Sequence, residues 1–370
     1  MLSCMTFCEE LVEARCRHFG SCGGCTSQMI PYDLQLERKE ELIRHLFPDQ
    51  PIQRIIGCEE EWHWRNKMEF SFSQTKAGER FLGLMMRGQR GRVVLLEECH
   101  ITNPWFIEIL KRVYAWWEKS GLEAYFPPAD RGLLRTLTLR EGVNTGQKMA
   151  ILTIAGDHEV PGFGEIVADL DSVILRRQIT KKGVPTSFEE EVLSGNPYIE
   201  EELGSYRFRI RSSTFFQPNS IQAERLYNKI AELVEGETLL DLYCGTGSIG
   251  IFCSKLVKKV IGVEIVPGAQ ENIELNRIEN MEVRIGDVEK EPFPEADCVI
   301  VDPPRAGLGP KAIQKLLQGK FKKIIYVSCN PKSQAKDIAQ LEGYRLSLLQ
   351  PVDQFPQTPH IENIALLELL

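Results

Sequence analysis

No apolar run in this 370-residue chain approaches the length of a membrane span, so a helical membrane protein is excluded. The first fifteen residues are short of apolar side chains and carry Glu9, Glu10 and Glu13. A secretory leader needs the opposite pattern, so the expected location is the cytoplasm, with no membrane partner. There is no internal repeat and no low-complexity tract, which sets aside solenoids and flexible linkers. Extreme composition is missing too. Net charge is -8, with 43% hydrophobic and 26% charged residues, ordinary for a soluble enzyme long enough for two cores. An acidic total argues against nucleic acid, yet acids are absent from Arg80 to Leu96. There Arg80, Arg87, Arg90 and Arg92 sit with Gly88 and Gly91 at a turn, and Arg131, Arg135 and Arg140 follow. A local basic face binds phosphates despite an acidic total; a solvated loop explains the charge equally well.

Cysteine is not scarce. Eleven thiols in a cytoplasmic chain point to metal ligands or a catalytic thiol rather than a disulfide framework. Cys16, Cys22 and Cys25 cluster tightly, with Gly20, Gly23 and Gly24 between them. A soft-metal site needs a fourth ligand, and spacing leaves Cys4, Cys8, Cys58 and Cys99 competing, with iron-sulfur and zinc both open.

Periodicity divides the chain. Pro31 to Phe47 reads as a helix, as does Pro104 to Lys119. Strands are expected at Lys67–Phe72, Leu134–Leu139, Ala150–Ile154 and Ser172–Leu175. After Pro218 the pattern changes. A helix over Ile221–Val234 leads to a buried strand at Thr238–Leu242. Strands at Val260–Ile265, Cys298–Val301 and Ile324–Val327 then alternate with helices near Gly268–Glu279 and Lys311–Leu317, and Arg345–Leu349 and Ile364–Leu369 close the chain. Alternation at this spacing predicts a doubly wound α/β domain beside a smaller β-rich one. We assign 1–27 and 60–210 to the β-rich central domain, and 28–59 and 211–370 to the catalytic domain.

Gly245-Thr246-Gly247-Ser248-Ile249-Gly250 follows the first strand of the α/β half, and Glu264 ends the next strand about 20 residues on. Glycines let a backbone approach a ligand, and an acid there holds ribose hydroxyls. Nicotinamide dehydrogenases and S-adenosylmethionine enzymes share this arrangement. Asp241, within Asp-Leu-Tyr-Cys-Gly-Thr-Gly, and the later Asp302-Pro303-Pro304 resemble the first and fourth motifs of class I methyltransferases. Enzymes that methylate exocyclic amines usually place an aromatic residue where Arg305 stands, so the acceptor atom is expected to be carbon.

Cys329 follows the apolar run Ile324–Val327, at the strand end where open α/β sheets bind ligands. A cysteine there is as often a small buried hydrophobe. Methylating carbon 5 of a uracil needs a thiolate to add at carbon 6 and a base to remove the carbon-5 proton. Glu362, in His360-Ile361-Glu362 before the last strand, is the candidate base.

Two segments now carry a family resemblance. Asp302-Pro303-Pro304-Arg305-Ala306-Gly307 with Ile324–Asn330 matches one signature, departing only at Ser333, where threonine is usual. Val352–Glu362 matches another. The chain resembles the RNA 5-methyluridine methyltransferases, in their iron-sulfur-containing 23S rRNA branch. The resemblance implies that Cys329 is the nucleophile and Glu362 the base. It implies that Gln217, Tyr243, Ser248, Glu264, Asp287 and Asp302 contact S-adenosylmethionine, with Asp302 also at the base and Arg305 on the RNA. It also implies a [4Fe-4S] cluster on Cys16, Cys22, Cys25 and Cys99. The expected substrate is 23S rRNA, with the tRNA T-loop as the alternative and a monomeric enzyme as the working unit. A nicotinamide oxidoreductase would leave Cys329 and Asp302–Arg305 unexplained. A flipped or loop uridine is expected, with Trp62, His63, Trp64, Arg65, Asn66 and Lys67 as candidate RNA contacts.

Overall fold

The structure, a computed structural model, describes residues 11–89, 91–180 and 183–370. Beyond the thiol-bearing segment comes α1 (Tyr32–Leu46). Strands β1 (Lys67–Gln74), β2 (Arg80–Met85), β3 (Val93–Leu95), β4 (Leu134–Glu141), β5 (Lys148–Ala155), β6 (Ser172–Ile179) and β7 (Ser187–Gly195) form one sheet, in the order β3-β2-β1-β4-β5-β6-β7. Its helices are α2 (Trp105–Ser120) and α3 (Phe163–Ile166). Met68, Phe70 and Phe72 alternate inward along β1. They join Leu137, Leu139 and Leu152 of the sheet and Phe106, Leu110 and Trp117 of α2 in one core, as period-two patterning requires.

A hairpin of β8 (Tyr198–Leu203) and β9 (Tyr206–Arg211) stands apart from both large sheets. Its Ile199, Leu203, Phe208 and Ile210 pack with Leu226 and Ile230 of α4 (Ser220–Leu233) and with Met149, Ile151 and Ile174 of the first sheet. One continuous core therefore runs from the β-rich half into the α/β half. Asn219 caps α4 by accepting the Gln222 amide at 3.2 Å, which fixes the helix start just after Gln217.

The second sheet contains β10 (Thr238–Leu242), β11 (Lys259–Glu264), β12 (Met281–Ile285), β13 (Cys298–Val301), β14 (Lys323–Ser328), β15 (Tyr344–Val352) and β16 (Glu362–Leu369). Its order is β12-β11-β10-β13-β14-β16-β15. The first five strands are parallel, and β16 inserts antiparallel between β14 and β15. The helices of this half are α5 (Ser248–Cys253), α6 (Ala269–Leu275), α7 (Pro310–Gly319) and α8 (Pro331–Ile338). Burial on both faces explains the unbroken apolar runs of β13 and β14. The strand order reverses direction at β10, between β11 and β13, and ligands bind at the carboxyl ends there.

Two departures from the sequence patterns have clear causes. Strands β7 and β8 were hidden by Glu189, Glu190 and Glu191 and by Glu200, Glu201 and Glu202. In β7 the charges are tolerated because the strand is an exposed edge whose Glu190 and Glu191 pair with Arg176 and Arg177. Helix α6 stops at Leu275 rather than near Glu279. The Asn276 side chain donates to the Arg207 carbonyl at 2.6 Å, and Arg277 turns left-handed at φ 53°. No described helix is long and apolar enough to cross a membrane.

A buried ion pair ties α1 to the second sheet. Lys39 Nζ lies 2.6 Å from Asp353 Oδ1, with both side chains buried, and the Tyr32 hydroxyl donates to Asp353 Oδ2 at 2.9 Å. Removing one partner leaves a buried charge uncompensated. Lys39→Met is expected to cost about 3–5 kcal/mol, read as a lower urea midpoint at unchanged slope. A shift within error would show that the pair is not structural.

Candidate active site

Three strand ends converge. Val301 of β13 pairs with Tyr326 of β14, so Asp302 leaves the sheet beside the end of β14. Ser328 pairs antiparallel with Asn363, which puts Cys329 and Glu362 level with one another at the adjoining ends of β14 and β16. Arg305 is exposed at the mouth of the site. Its carbonyl accepts from Asn330 Nδ2 at 2.9 Å and from Ser333 Oγ at 3.3 Å. Those bonds lock the Asp302–Arg305 loop to the loop bearing Cys329, and the serine hydroxyl suffices for the task.

Charge in this site is unbalanced. Glu362 is 4% exposed, and burial, then the Asp302 charge, hold its carboxyl well above the ordinary range against the opposing pull of Arg305. Burial pushes Asp302 up to about 7. Cys329 is pushed up to about 11 by burial and then by Glu362 and Asp302, while Arg305 acts the other way. Two like charges this close cannot both ionise cheaply. Burial and like charge thus bias all three groups toward their protonated forms, and a nearby cation opposes that bias.

The glycine loop lies at the end of β10. Tyr243 and Gly245 are left-handed, at φ 61° and 55°, and space is open where a Gly245 side chain would point. A Cβ on Gly250 would meet Met281 Cε at 2.7 Å and Asp241 Oδ2 at 2.9 Å, so a larger residue would push against the carboxylate that holds the Gly250 amide. The Glu264 carboxylate accepts the amides of Gly245 at 3.0 Å, Ile265 at 2.8 Å and Val266 at 2.9 Å, which fixes the loop to the next strand end. Asp241 Oδ2 accepts the Gly250 amide at 2.9 Å, while its buried Oδ1 has no partner. Buried Gln217 touches Gln354 Nε2 at 3.4 Å through Oε1. Ser248 Oγ is occupied with the Tyr227 hydroxyl at 3.1 Å. Asp287, beyond β12, is partly exposed and pairs with Lys290 at 3.2 Å. Tyr243, Glu264 and Asp302 thus line adjacent strand ends, Asp287 flanks them, and Ser248 is turned into the protein.

Sequence reading missed the apolar lining of this cleft. Ile265 is 62% exposed and Ile285 57%, next to one another because Glu264 pairs with Ile285. Phe215, before Gln217, is 66% exposed. The two isoleucines, exposed side by side at neighbouring strand ends, suit an aromatic ring. The available signal was an isoleucine immediately after the strand-ending acid. A second cavity, lined by Ser254, Lys255, Asn276 and Arg277 among others, lies at the amino ends of β11 and β12, the wrong end of the sheet for such a ligand.

Cys16, Cys22, Cys25 and Cys99 face one small cavity with Leu84, Leu96 and Ile101. Burial, with a contribution from the Cys99 charge, raises the thiols of Cys16, Cys22 and Cys25. Cys58 lies elsewhere, its sulfur 3.2 Å from the Asp353 carbonyl; Cys4 and Cys8 lie outside the described residues. Among the described residues no group of three or more His, Cys, Asp or Glu side chains stands in a metal-binding arrangement. The expected ligands thus share a cavity without closing into a ligand set.

Some expected RNA contacts prove structural. Trp64 is buried against Phe355. Buried Asn66 donates to the Gln217 carbonyl and to Ser220 Oγ, both at 2.9 Å. Arg140 is buried and donates to the carbonyls of Arg211 and Thr214. Lys67, partly exposed, is lowered to about 8 by burial and by Arg140 and Arg176. Arg87 and Arg92 are exposed, and Arg90 lies outside the described residues.

A doubly wound sheet with this loop and this acid at its strand ends defines a domain for an adenosine-bearing cofactor. The family model described as tRNA (uracil-5-)-methyltransferase matches residues 166–296 and 283–369. An uncharacterized RNA methyltransferase of Protochlamydia amoebophila is 43% identical, across 97% of this chain and 91% of its own. One from Chlamydia trachomatis is 40% identical, across 96% and 98%. The solved tRNA (uracil-54, C5)-methyltransferase of Pyrococcus abyssi, in complex with S-adenosyl-L-homocysteine, is 30% identical. It covers 94% of this chain and 86% of its own, with a TM-score of 0.80. The chain belongs to the RNA uracil-5-methyltransferase family and is an RNA methyltransferase using S-adenosylmethionine. That removes the nicotinamide reading of the glycine loop.

The charge imbalance gives a test. S-adenosylmethionine is a cation and S-adenosylhomocysteine is not. Were Asp302 to face the bound sulfonium, as the family resemblance implies, its protonation as pH falls through about 7 would remove the attraction between them. Calorimetry should show the S-adenosylmethionine dissociation constant rising about tenfold from pH 8 to pH 6. S-adenosylhomocysteine should change less, and Asp302→Asn should flatten the difference. Parallel profiles for both ligands would refute this assignment.

Proposed function

We propose that this protein methylates carbon 5 of a uridine in RNA, through covalent addition of Cys329 to the base and proton removal by Glu362. One observation carries the reading: a thiol and a buried carboxyl stand level at adjoining ends of antiparallel strands. S-adenosylmethionine supplies the methyl group as an electrophilic sulfonium carbon. Cys329 adds to carbon 6 as the thiolate, its proton having passed to solvent, and the carbon 5–carbon 6 π pair becomes the nucleophile at carbon 5. After methyl transfer, Glu362 takes the proton from carbon 5. The released pair re-forms the double bond and expels the Cys329 thiolate. Ionisation of Glu362 is resisted by burial and by Asp302, so a neighbouring positive charge is needed to make it a base.

Tyr243, Glu264, Asp287 and Gln217 would hold the cofactor, with Ile265 and Ile285 against its ring. Ser248 would contribute through loop position rather than its hydroxyl, and Asp302 would lie between cofactor and uracil. Arg305, exposed at the mouth, would meet the RNA, and Lys67 is the better placed of the basic candidates in the other half. The central domain of 1–27 and 60–210 would carry RNA affinity, against a catalytic domain of 28–59 and 211–370. The expected RNA is 23S rRNA and the expected unit a monomer. The alternative, a tRNA substrate, has its support in the similarity to the Pyrococcus enzyme along nearly the whole chain.

A [4Fe-4S] cluster belongs to the same reading, on Cys16, Cys22, Cys25 and Cys99. Its support is the shared cavity and the all-thiol donor set; ligation would require these side chains to turn toward one another. Iron and sulfide analysis of anaerobically purified protein is expected to give about four of each, and a colourless zinc-bound protein would exclude the cluster.

The chemistry is tested by two variants. Cys329→Ala should lose methyl transfer while binding cofactor normally. Glu362→Gln should accumulate a covalent RNA adduct visible in denaturing gels, because proton loss precedes thiol release. Normal turnover by Glu362→Gln would end its role as base. Mapping 5-methyluridine with and without the gene is expected to show loss from 23S rRNA; loss from tRNA alone would reassign the substrate.

A further inference from the structure

The loop 353–361 joins β15 to β16 and delivers Glu362 to the first position of β16. At its centre Gln357 is buried and left-handed, at φ 65°. Glycine would occupy this conformation without strain, whereas a side chain pays for it. The side chain present is fully engaged. Gln357 Oε1 accepts from Gln35 Nε2 at 3.1 Å, and its Nε2 donates to Glu61 Oε2 at 2.5 Å. Its backbone is gripped as well. The amide donates to Gln35 Oε1 at 3.1 Å, and the carbonyl accepts the amides of Thr26 at 3.0 Å and Ser27 at 3.2 Å.

Gln35 is itself anchored, donating to the carbonyls of Ser27 at 3.2 Å and Ile30 at 2.8 Å. Upstream in the loop, Asp353 is held by Lys39 and Tyr32 of the same helix. Two points of the loop are therefore clamped by residues 26–39, while the strand pairings on either side fix its ends. Cys25, in the thiol cavity, stands one residue before Thr26. These contacts converge on the segment that carries a single reacting group.

Resting on the function proposed above, we infer that Gln357 is a positioning residue for Glu362, gripped by Gln35, Thr26 and Ser27, and acts on proton removal from carbon 5 but not on thiol addition or methyl transfer. Cys329 is delivered by β14 and its own loop, locked to Arg305, and shares none of these contacts. Disturbing Gln357 moves the base and leaves the nucleophile in place.

The test separates the two halves of the reaction. Gln357→Gly removes the side-chain bonds to Gln35 and Glu61 and suits the left-handed backbone; Gln35→Met instead removes the bonds of α1 to the Gln357 side chain and amide. Each is assayed with cofactor and two RNAs, one with uridine and one with 5-fluorouridine at the target. Fluorine at carbon 5 cannot be removed as a proton, so the adduct with fluorinated RNA reports thiol addition and methyl transfer alone. Both variants should form that adduct at the wild-type rate. With ordinary RNA, kcat should fall about tenfold to a hundredfold at nearly unchanged KM, and methylated covalent adduct should accumulate. Normal turnover on ordinary RNA would overturn the inference. So would equal slowing with both RNAs, which would mean Gln357 supports the whole site. Failure of the wild-type protein to form any adduct with fluorinated RNA would instead overturn the covalent mechanism.

Discussion

The antiparallel insertion of β16 beside β14 is the constraint on which the site depends. In a wholly parallel sheet every strand ends on the same side, and all ligand-facing residues come from carboxyl ends. Here β14 ends where β16 begins, so Ser328 pairs with Asn363 and residues 33 positions apart by number, Cys329 and Glu362, are level. A register slip of one residue would turn the side chains of β16 to the other face. The slip is prevented by Ile364, Ala365, Leu366 and Leu367, which pack into the cores on the two faces of the sheet. Burial of aliphatic side chains thereby fixes the register at which Glu362 enters β16.

Electrostatics then give that geometry its character. Asp302, Glu362 and Cys329 all resist ionisation, and Arg305 is the cation acting against that resistance for Glu362 and Cys329. A folded site with such an imbalance is poised for an added positive charge. The sulfonium of S-adenosylmethionine would be such a charge before methyl transfer; once it is spent, Arg305 is the cation that opposes the raised carboxyl of Glu362. The fold carries the cost of burying these groups in the resting protein, as catalytic sites commonly do.

The two halves are not independent. Met149, Ile151 and Ile174 of the first sheet share a core with the β8–β9 hairpin and α4. Asn66, just before β1, bonds to the Gln217 carbonyl and to Ser220 at the start of α4. The segment after the thiol cavity grips the loop ahead of Glu362. Catalytic geometry thus rests on contacts from residues far away in the chain.

Much of this was legible in the order of residues. Apolar runs at Cys298–Val301 and Ile324–Val327 announced parallel strands because such strands are buried on both faces. The glycine spacing before Glu264 announced a cofactor loop because glycine adopts left-handed angles without strain and lets backbone approach a ligand closely. The motifs around Asp302, Cys329 and Glu362 announced the family. Less legible were strands crowded with glutamate, because arginines on a neighbouring strand neutralise them only after pairing. Trp64 and Asn66 read as an RNA-binding surface because burial is a property of the fold and not of composition. The sequence by itself determined the chemistry available: one thiol at a strand end, acids, a glycine loop and four cysteines. Only tertiary structure decided that Cys99 rather than Cys58 shares a cavity with the other thiols and that Glu362 stands level with Cys329. It also decided that Gln357 ties the loop ahead of Glu362 to α1. Those relations are set by strand register and packing across hundreds of residues, which no local pattern encodes.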